Sequence, residues 1–526
     1  MAFDREDNLS GGLLIERATW AQTLRRLMQW ADRVSDWQLF AFTVVWVVGG
    51  GLVLQFVVLP YVLPWLHWGH GLIAGMDWTN FHTIAIAKAN QIQQDGWRAW
   101  EIRPNLQLPA GLASALYVLV YPEPWVVLPI NGLFFAVAVT AVRRSVTVVF
   151  RSPAVGLCAV TPFFLFFSFV PIWGQLHKDV VSGAALALVL TALVQARQDN
   201  RQDASWLWPA CTAVAGVWLA WLARPYSVFV LCASTAAFVA LGFHGRPVPR
   251  RRLAGVAGAV LLISALLNVG PWRDTTAMMK APVPPPQEEL ALADAGTGVA
   301  PRDTLSPRDS EAQSGERDRT GRGLGPHEPE WPWVWRLPRS RMVPPELLFN
   351  DMKYNTQRCA PNPSEGILDR LLYSVCDYRE GFRAGGLGAG SNHDYELRMR
   401  TLEDFVAYSP RALQVALIEP MPNRWGREKT DIGRLASYIV PFEMVVVYGA
   451  LIAAAIVGRR WLAQRVIWAV LAYCFSYITF FVYTIPNMGT VYRMRAFAIS
   501  IIVSLALAAS VASWVERAHR TRTSPR

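Results

Sequence analysis

The sequence predicts an all-α polytopic membrane protein with about ten transmembrane helices. Its 526 residues are 53% hydrophobic and include 23 tryptophans, and the mean hydropathy is +0.23, which is too apolar for a soluble protein of this length. The apolar residues form runs of about 18 or more with few charges, which is the length that crosses a bilayer as a helix. The predicted spans are 39–62, 125–142, 152–172, 179–196, 206–223, 225–243, 253–271, 436–457, 461–484 and 494–515.

The basic residues predict how these spans are oriented. The net charge is +11, and the arginine clusters between the predicted spans all fall on one side, as they do in cytoplasmic loops. We expect both termini in the cytoplasm and no nucleic-acid partner, because orientation and contacts with anionic membrane lipids account for this charge. The clusters lie at 25–33, 143–151, 197–201, 246–252, 459–465 and 517–522.

A short apolar stretch at 106–121, interrupted by Pro109, bears on the same topology. If this stretch crossed the membrane, the basic clusters that follow it would move to the outside. We therefore predict that it is a re-entrant or surface-lying helix within the first external loop.

The spans divide the chain into segments of different character. Residues 281–330 are rich in Pro, Gly, Asp and Arg, so this part of the external loop should be largely disordered. Cys359 and Cys376 lie later in the same loop and are predicted to form a disulfide, because the compartment outside the membrane is oxidising. The predicted segments are a cytoplasmic N-terminus 1–37, a membrane module 38–271 with a first external loop 67–124, an external loop domain 272–434, C-terminal membrane helices 435–515 and a cytoplasmic tail 516–526.

An acidic residue, Asp77, follows the first predicted span directly and precedes an amphipathic segment. The segment repeats apolar residues at helical spacing, which predicts a helix lying in the membrane interface. Asp77 would stand at its N-terminus, where a carboxylate can cap the helix or act on a lipid-borne substrate at the bilayer surface. His82, one turn further on, is a candidate supporting residue. The apolar positions are Trp78, Phe81, Ala85, Ala89 and Ile92.

Two further carboxylates are placed where a membrane makes charge expensive. Asp179, preceded by Lys178, opens a span and is either a helix cap or a functional acid. Glu443 lies about 10 Å inside its span, at about 1.5 Å of rise per residue, and needs a partner or a polar cavity. A structural ion pair with Arg493 or Arg495 is the interpretation that we favour for Glu443.

Three arginines break the positive-inside pattern. Arg224 is predicted at an external turn, and Arg493 and Arg495 at the external start of the last span. Guanidinium groups there suit bidentate binding of a lipid phosphate, although a structural salt bridge would also explain them.

This arrangement resembles the GT-C superfamily, the polytopic glycosyltransferases that use polyprenyl-phosphate-linked sugars, and in particular those of bacterial envelope and exopolysaccharide assembly. The resemblance is carried by Asp77 in the first external loop and by three motifs, which are Lys178-Asp179, Arg224-Pro225 and the Asn-x-Gly-Thr-x-x-Arg-x-Arg run from Asn487 to Arg495. It covers roughly 38–271 and 435–515 and excludes the insert predicted to be disordered.

The resemblance implies a role for each of these residues. Asp77 would be the base or acceptor-positioning carboxylate, and Asp179 a second acid for the acceptor or for a metal. Arg224, Arg493 and Arg495 would hold the lipid phosphate. A divalent cation, Mg²⁺ or Mn²⁺, is one cofactor that such a site allows, and the sequence leaves its ligands open.

The sequence therefore predicts a multi-pass glycosyltransferase of the bacterial inner membrane with its site on the periplasmic face. It would transfer a sugar from a polyprenyl-phosphate donor to an envelope glycan or a lipid-linked acceptor. The alternatives are a lipid-linked oligosaccharide polymerase or ligase, and a polysaccharide flippase or transporter. Transporters often show repeats and polar groups near the bilayer midplane, whereas here no repeat is visible and the charged candidates cluster near one face.

Overall fold

A computed structural model describes the membrane module and the C-terminal helices almost completely. The predicted insert 281–330, Cys359 and most of the external loop domain lie outside the described residues. All described residues belong to one of the two compact units of the chain, which comprises 1–270 and 335–526. The described residues are 22–23, 26–74, 76–198, 206–242, 250–268, 372–373, 375–376, 378–382, 393–394, 397, 399, 401–419 and 431–523.

The described residues are almost entirely helical, with one two-stranded antiparallel hairpin formed by β1 (His67–Gly69) and β2 (Leu72–Ile73). A π-helical turn, Leu54–Val62, extends the first helix around Pro60. The N-terminal helices are α1 (Asp36–Val53), α2 (Met76–Asp95), α3 (Leu108–Leu119), α4 (Leu128–Phe150), α5 (Pro153–Ala159), α6 (Pro162–Leu165), α7 (Val170–Gly174), α8 (Asp179–Gln198), α9 (Leu207–Ala223), α10 (Ser227–Gly242) and α11 (Arg250–Asn268). The C-terminal helices are α12 (Leu402–Leu417), α13 (Asp431–Val457), α14 (Arg459–Leu462), α15 (Arg465–Thr484) and α16 (Met488–Thr523).

Within this part of the chain, six helical segments are long and apolar enough to cross a membrane. A seventh candidate is the pair 153–165 and 167–174, which bends by 66° at its break. The predicted class, an all-α protein with several apolar spans, is confirmed at this level. The six segments are Asp36–Val62, Pro124–Phe150, Asp179–Gln198, Gly433–Val457, Arg465–Thr484 and Met488–Arg517.

Three predicted spans form shorter or less apolar helices than expected. Helices α9 and α10 have 17 and 16 residues, and α11 has 19 residues but begins with three arginines. The stretch at 106–121 forms only the 12-residue α3, which is too short to cross a bilayer.

Contacts at the helix ends define two ends of the bundle, between which α1, α4, the α5–α7 segment, α8, α9 and α10 run in alternating directions. At one end Asp36, which begins α1, pairs with Arg143 at 3.2 Å and Arg144 at 2.6 Å near the end of α4. Asp32, just before α1, accepts a hydrogen bond from the backbone N–H of Ala154 at the start of α5. We call this the Asp36 end.

At the opposite end, the start of α4 contacts the end of α7, because Asn131 donates to the backbone oxygen of Trp173 at 2.9 Å. The bent segment 153–174, which contains α5, α6 and α7, therefore runs from one end of the bundle to the other. Arg224, after α9, pairs with Asp179 at the start of α8, and we call this the Asp77 end. At the Asp36 end, Arg197 near the end of α8 donates to the backbone oxygen of Gly242 at the end of α10.

Helices α8 and α16 are the most buried spans, with 89% and 83% of their apolar windows covered by other helices. Alanine, glycine and serine line α8, so neighbouring backbones can approach closely. At Gly183 an added Cβ would lie 2.4 Å from the ring of Phe497 on α16. This glycine sets how closely the first turns of α8 and α16 approach each other.

The predicted amphipathic helix forms as α2, but its apolar face does not lie against lipid as expected. Trp78, Phe81, Ala85, Ala89 and Ile92 are all buried. Four of them, all but Ile92, join a small core with Leu54 of the first span and Ala110 of α3. The spacing correctly predicted the helix but could not distinguish a protein partner from a bilayer, because both are apolar.

Large aromatic side chains are exposed near both ends of the bundle, where a bilayer interface would place them. Those near the Asp77 end are Tyr61, Trp65, Trp68, Trp97, Trp100 and Tyr121. Those near the Asp36 end are Trp30, Trp37, Trp206, Trp208, Trp468 and Trp514.

Candidate functional site

A network of charged side chains joins three distant parts of the sequence at the Asp77 end. Asp77, in the first turn of α2, places Oδ2 2.5 Å from Nη1 of Arg493 on α16. The same Nη1 lies 2.7 Å from Nε2 of His177, which precedes α8. Arg493 therefore connects the segment after the first span to the start of α8.

The network continues inward through Asp179. The backbone N–H of Asp179 donates to Nδ1 of His177 at 3.1 Å, and Oδ2 of Asp179 lies 3.1 Å from the same nitrogen. Oδ1 of Asp179 accepts from Nη2 of Arg224. Arg224 also donates to the hydroxyl of Tyr226 at 2.9 Å. We call Asp77, Arg493, His177, Asp179 and Arg224 the charged network.

Buried amide side chains fix the loop that carries His177. Gln55 donates to the backbone oxygen of Gly174 at 2.8 Å, and Asn131 donates to that of Gln175 at 2.8 Å. The side chain of Gln175 accepts from the N–H of Ile73 at 3.0 Å and donates to the oxygen of Gly71 at 3.2 Å. The hairpin before α2 and the loop before α8 are therefore held together, and with them Asp77 and His177. Asn131 thus joins α4 to the end of α7 and to the loop that follows it.

Gly71 is required for this approach. Its φ is +70°, and an added Cβ would lie 2.6 Å from Cβ of Gln55. An L side chain at this position would strain the backbone and displace the buried glutamine.

Lys178 lies partly buried beside the network. Its Nζ donates to the side chain of Gln107 at 3.1 Å and lies 5.6 Å from the ring centre of Phe81. Burial, and then the like charge of Arg224, lower the pKa of Lys178 to about 7. The amine can therefore gain or lose a proton near neutral pH.

Burial lowers the pKa of His177 to about 4, so this imidazole is neutral at physiological pH. Burial alone would raise the pKa of Asp77, but the charge and hydrogen bond of Arg493, together with His177 and Lys178 nearby, outweigh it and hold the pKa below its ordinary value. Asp77 is therefore an ionised carboxylate whose basicity is reduced by its own partner.

Exposure separates the outer from the inner part of the network. The side chains of Asp77 and Arg493 are 42% and 21% exposed, whereas those of Arg224 and Asp179 are 5% and 3% exposed. An external ligand could reach Asp77 and Arg493 without any rearrangement. The buried pair Asp179–Arg224 lies on the inner side of the network and is connected to Arg493 through His177.

A cavity borders the inner part of the network between α8, α15 and α16. Its polar side is formed by Asp179, Arg224 and Arg493. Its other side is mainly apolar and aromatic, with Tyr477, Phe481 and Phe497 as the larger groups. The cavity is small, with room for about one water molecule.

The structure corrects the grouping of the three arginines. Arg495 is buried and points away from the network, donating to the backbone oxygens of Val415, Ala416 and Glu419 at the end of α12. These are carbonyls that the helix itself leaves without partners. Arg495 therefore attaches α12 to α16 and is not placed to bind a phosphate with Arg493.

Glu443 has a different partner from the one expected. Its Oε1 accepts from the backbone N–H of Ser168 at 2.7 Å, at the break between α6 and α7. Glu443 and Arg495 line a common cavity, but the bond to Ser168, and not an ion pair with Arg493, is what holds the carboxylate.

His82 is buried outside the charged network, in contact with α3. Its Nδ1 lies 2.7 Å from the hydroxyl of Tyr117, and its ring is 5.2 Å from that of His70. Burial, and then His70, lower the pKa of His82 to about 4. His82 therefore belongs to the packing between α2 and α3.

The predicted metal and disulfide have separate outcomes. Among the described residues, no group of three or more His, Cys, Asp or Glu side chains is placed to hold a metal ion. Oδ1 of Asp179 is bound by Arg224, and the side chain of Asp179 is 3% exposed, so its expected role toward a metal or acceptor changes to a supporting one. Cys376 is disulfide-bonded, but Cys359 lies outside the described residues, so their pairing stays a prediction.

His177 and Gln175 are the residues of the site that sequence reasoning missed. Both lie in the short polar segment before Asp179, yet only the charged members of that segment were selected. The available signal was a histidine two residues before a buried acid, in a loop between two apolar runs.

We expect the stability of the protein to depend on Lys178 and pH together. Because the folded pKa lies below the unfolded value of about 10.4, the unfolded state binds more protons between these values, and stability rises with pH from about 7 to about 10. Lys178→Met should therefore raise the melting temperature most near pH 6 and progressively less toward pH 9. Lys178→Arg keeps its charge over this pH range, so the difference between its melting temperature and that of the wild type should not shrink toward pH 9. A constant difference between Lys178→Met and the wild type would contradict the prediction.

No protein-family model, no curated protein and no solved structure matches this chain.

Proposed function

We propose that the protein is a GT-C-type membrane glycosyltransferase that takes its sugar from a polyprenyl-phosphate-linked donor. One observation carries the proposal. Asp77, Asp179, Arg224 and Arg493, which are far apart in the sequence, belong to a single hydrogen-bonded network, with Lys178 beside it. Such a network has the carboxylate and the cations that glycosyl transfer from a lipid phosphate requires.

The outer part of the network supplies the two groups that act on the reactants. A sugar hydroxyl is a weak nucleophile, and a carboxylate within hydrogen-bond reach can take its proton as the new bond forms. Asp77 is the exposed carboxylate for this step. The leaving group is a lipid phosphate that needs only positive partners, and Arg493 is the exposed guanidinium beside Asp77.

The side chains around the small cavity next to the network divide in polarity as a lipid-phosphate donor does, although the cavity itself has room for about one water molecule. Charged residues stand on one side and aromatic side chains on the other. A polyprenyl phosphate has the same division, with an anionic head group and an apolar chain.

The alternation of helix ends supports ten membrane crossings, with α9, α10 and α11 among them. On that topology the arginine clusters gather at the Asp36 end, which would be cytoplasmic. The charged network would then face the periplasm of a bacterial inner membrane, the side on which envelope glycans are assembled. A transporter is less well supported, because Asp77 and Arg493 are exposed at one end of the bundle.

Donor turnover in reconstituted vesicles tests the proposal. The purified full-length protein would be supplied with polyprenyl-phosphate-linked pentoses and hexoses together with bacterial envelope glycan. Mass spectrometry would follow loss of the sugar and appearance of free polyprenyl phosphate. We expect one donor to be consumed, and Mg²⁺, Mn²⁺ or a chelator added in parallel would decide the metal requirement.

The rival functions give different products in the same assay. A flippase would move the labelled lipid between leaflets without cleaving it. A polymerase or ligase would consume only donors that carry several sugars. Absence of any cleavage by folded protein across the donor panel would reject the glycosyltransferase.

A further inference from the structure

We propose that the Asp77–Arg493 ion pair is a latch that the donor's phosphate opens, so that the carboxylate becomes available to the acceptor only after the donor has bound. This inference rests on the proposed function and adds an order of binding to it.

The geometry makes the carboxylate and a phosphate competitors for one guanidinium. Oδ2 of Asp77 lies 2.5 Å from Nη1 of Arg493. Phosphate oxygens bind arginine with the same planar, charge-assisted geometry as carboxylate oxygens. A phosphate arriving at the exposed face of Arg493 must therefore displace Asp77 or accept a like charge next to it.

Arg493 can change partner without losing its place. His177 Nε2 binds the same nitrogen at 2.7 Å from the buried side, and Thr490 Oγ1 lies 3.4 Å from Nη2. His177 is in turn fixed by Asp179, which is 3% exposed. His177 is thus a positioning residue, and Asp77 is the partner of Arg493 that is exposed enough to leave.

Release changes what Asp77 can do. While it is paired, its carboxylate is a weak base, because proton uptake would break the ion pair. Once a phosphate has taken its place, the carboxylate is no longer held by Arg493 and can accept the proton of an acceptor hydroxyl. The proton moves from that hydroxyl to Asp77, the oxygen bonds to the anomeric carbon, and the phosphate leaves with the electrons of the broken bond. Before the donor arrives, the carboxylate is exposed but paired with Arg493, and is therefore a poor base toward water and acceptor alike.

Equilibrium binding of farnesyl phosphate tests the latch without any turnover. The full-length protein in detergent would be titrated with farnesyl phosphate, with inorganic phosphate and with uncharged farnesol. Removing the competing charge by Asp77→Asn should tighten farnesyl phosphate binding about fivefold, the scale of one partly exposed ion pair. Asp95→Asn, the same substitution on the exposed far end of α2, should leave binding unchanged.

A double-mutant cycle shows whether the gain passes through Arg493. Arg493→Gln should weaken binding about tenfold or more, as expected for a lost charge-assisted contact. In that background Asp77→Asn should no longer tighten binding. If Asp77→Asn tightened binding equally with and without Arg493, the gain would come from the loss of a nearby negative charge in general, and the latch would be overturned.

The remaining outcomes separate the latch from the function. If binding depends on Arg493 but Asp77→Asn does not tighten it, the latch is wrong and the glycosyltransferase proposal stands. If neither the folded wild type nor any folded variant binds farnesyl phosphate, the latch and the glycosyltransferase proposal are both rejected. If inorganic phosphate binds as tightly as farnesyl phosphate, the ligand is a soluble phosphate and the lipid donor is rejected. Asp77→Ser serves as a second variant should Asp77→Asn fail to fold.

Discussion

Asp77→Asn should lower glycosyl transfer by about 10²-fold or more, because asparagine keeps the shape of aspartate but cannot take the acceptor's proton. Asparagine is also tolerated at the start of a helix, so α2 should remain folded. Turnover of the polyprenyl-phosphate donor in vesicles is the measurement. The loss of turnover should accompany tighter, not weaker, binding of the donor's phosphate.

Asp95→Asn is the matched control for this prediction. It removes the same charge from the same helix, far from Arg493, and should turn over at the wild-type rate. Full activity of Asp77→Asn would show that Asp77 is a structural partner of Arg493 only. The catalytic part of the proposed function would then lose its main residue.

Arg224→Gln should destabilise the folded protein by about 3–5 kcal/mol, the cost of leaving one member of a buried ion pair alone. The side chains of Arg224 and Asp179 are 5% and 3% exposed, so water cannot replace the lost partner. Thermal unfolding in detergent would report the effect as a large fall in melting temperature. The reason is structural, because Arg224 is too buried to be the phosphate ligand that the sequence suggested.

The double variant Asp179→Asn/Arg224→Gln should recover part of that loss, since it removes both charges and leaves groups that can still hydrogen-bond to each other. Arg493→Gln is the comparison variant. Its side chain and that of Asp77 are 21% and 42% exposed, so the cost to stability should be about 1 kcal/mol or less. If Arg224→Gln and Arg493→Gln melted alike, the division into inner and outer parts would be wrong.

The members of the site were predictable because their positions obey membrane topology. Segments that follow or precede spans on the same side must meet at the same end of a bundle, which is how Asp77, Asp179, Arg224 and Arg493 come together. Charge made them conspicuous, since a membrane tolerates few ionisable groups without a reason.

The errors have equally physical causes. Arg493 and Arg495 are two residues apart on one helix, and residues at that spacing face different sides, so both could not bind one phosphate. The partner of Glu443 is the backbone N–H of Ser168, and backbone groups leave no trace in residue identity. His177 was missed because it is uncharged at neutral pH, although it connects the two ion pairs.

The composition of the network has a consequence for the ligands that it can accept. Two carboxylates and two guanidinium groups cancel, and His177 is neutral, so the five residues together carry no net charge. Lys178 adjoins the network and, with a pKa of about 7, is partly protonated near pH 7. An anion entering beside it would favour the ammonium form and restore electroneutrality by drawing one proton from solvent. A site built this way holds its charges in balance whether or not an anion is present.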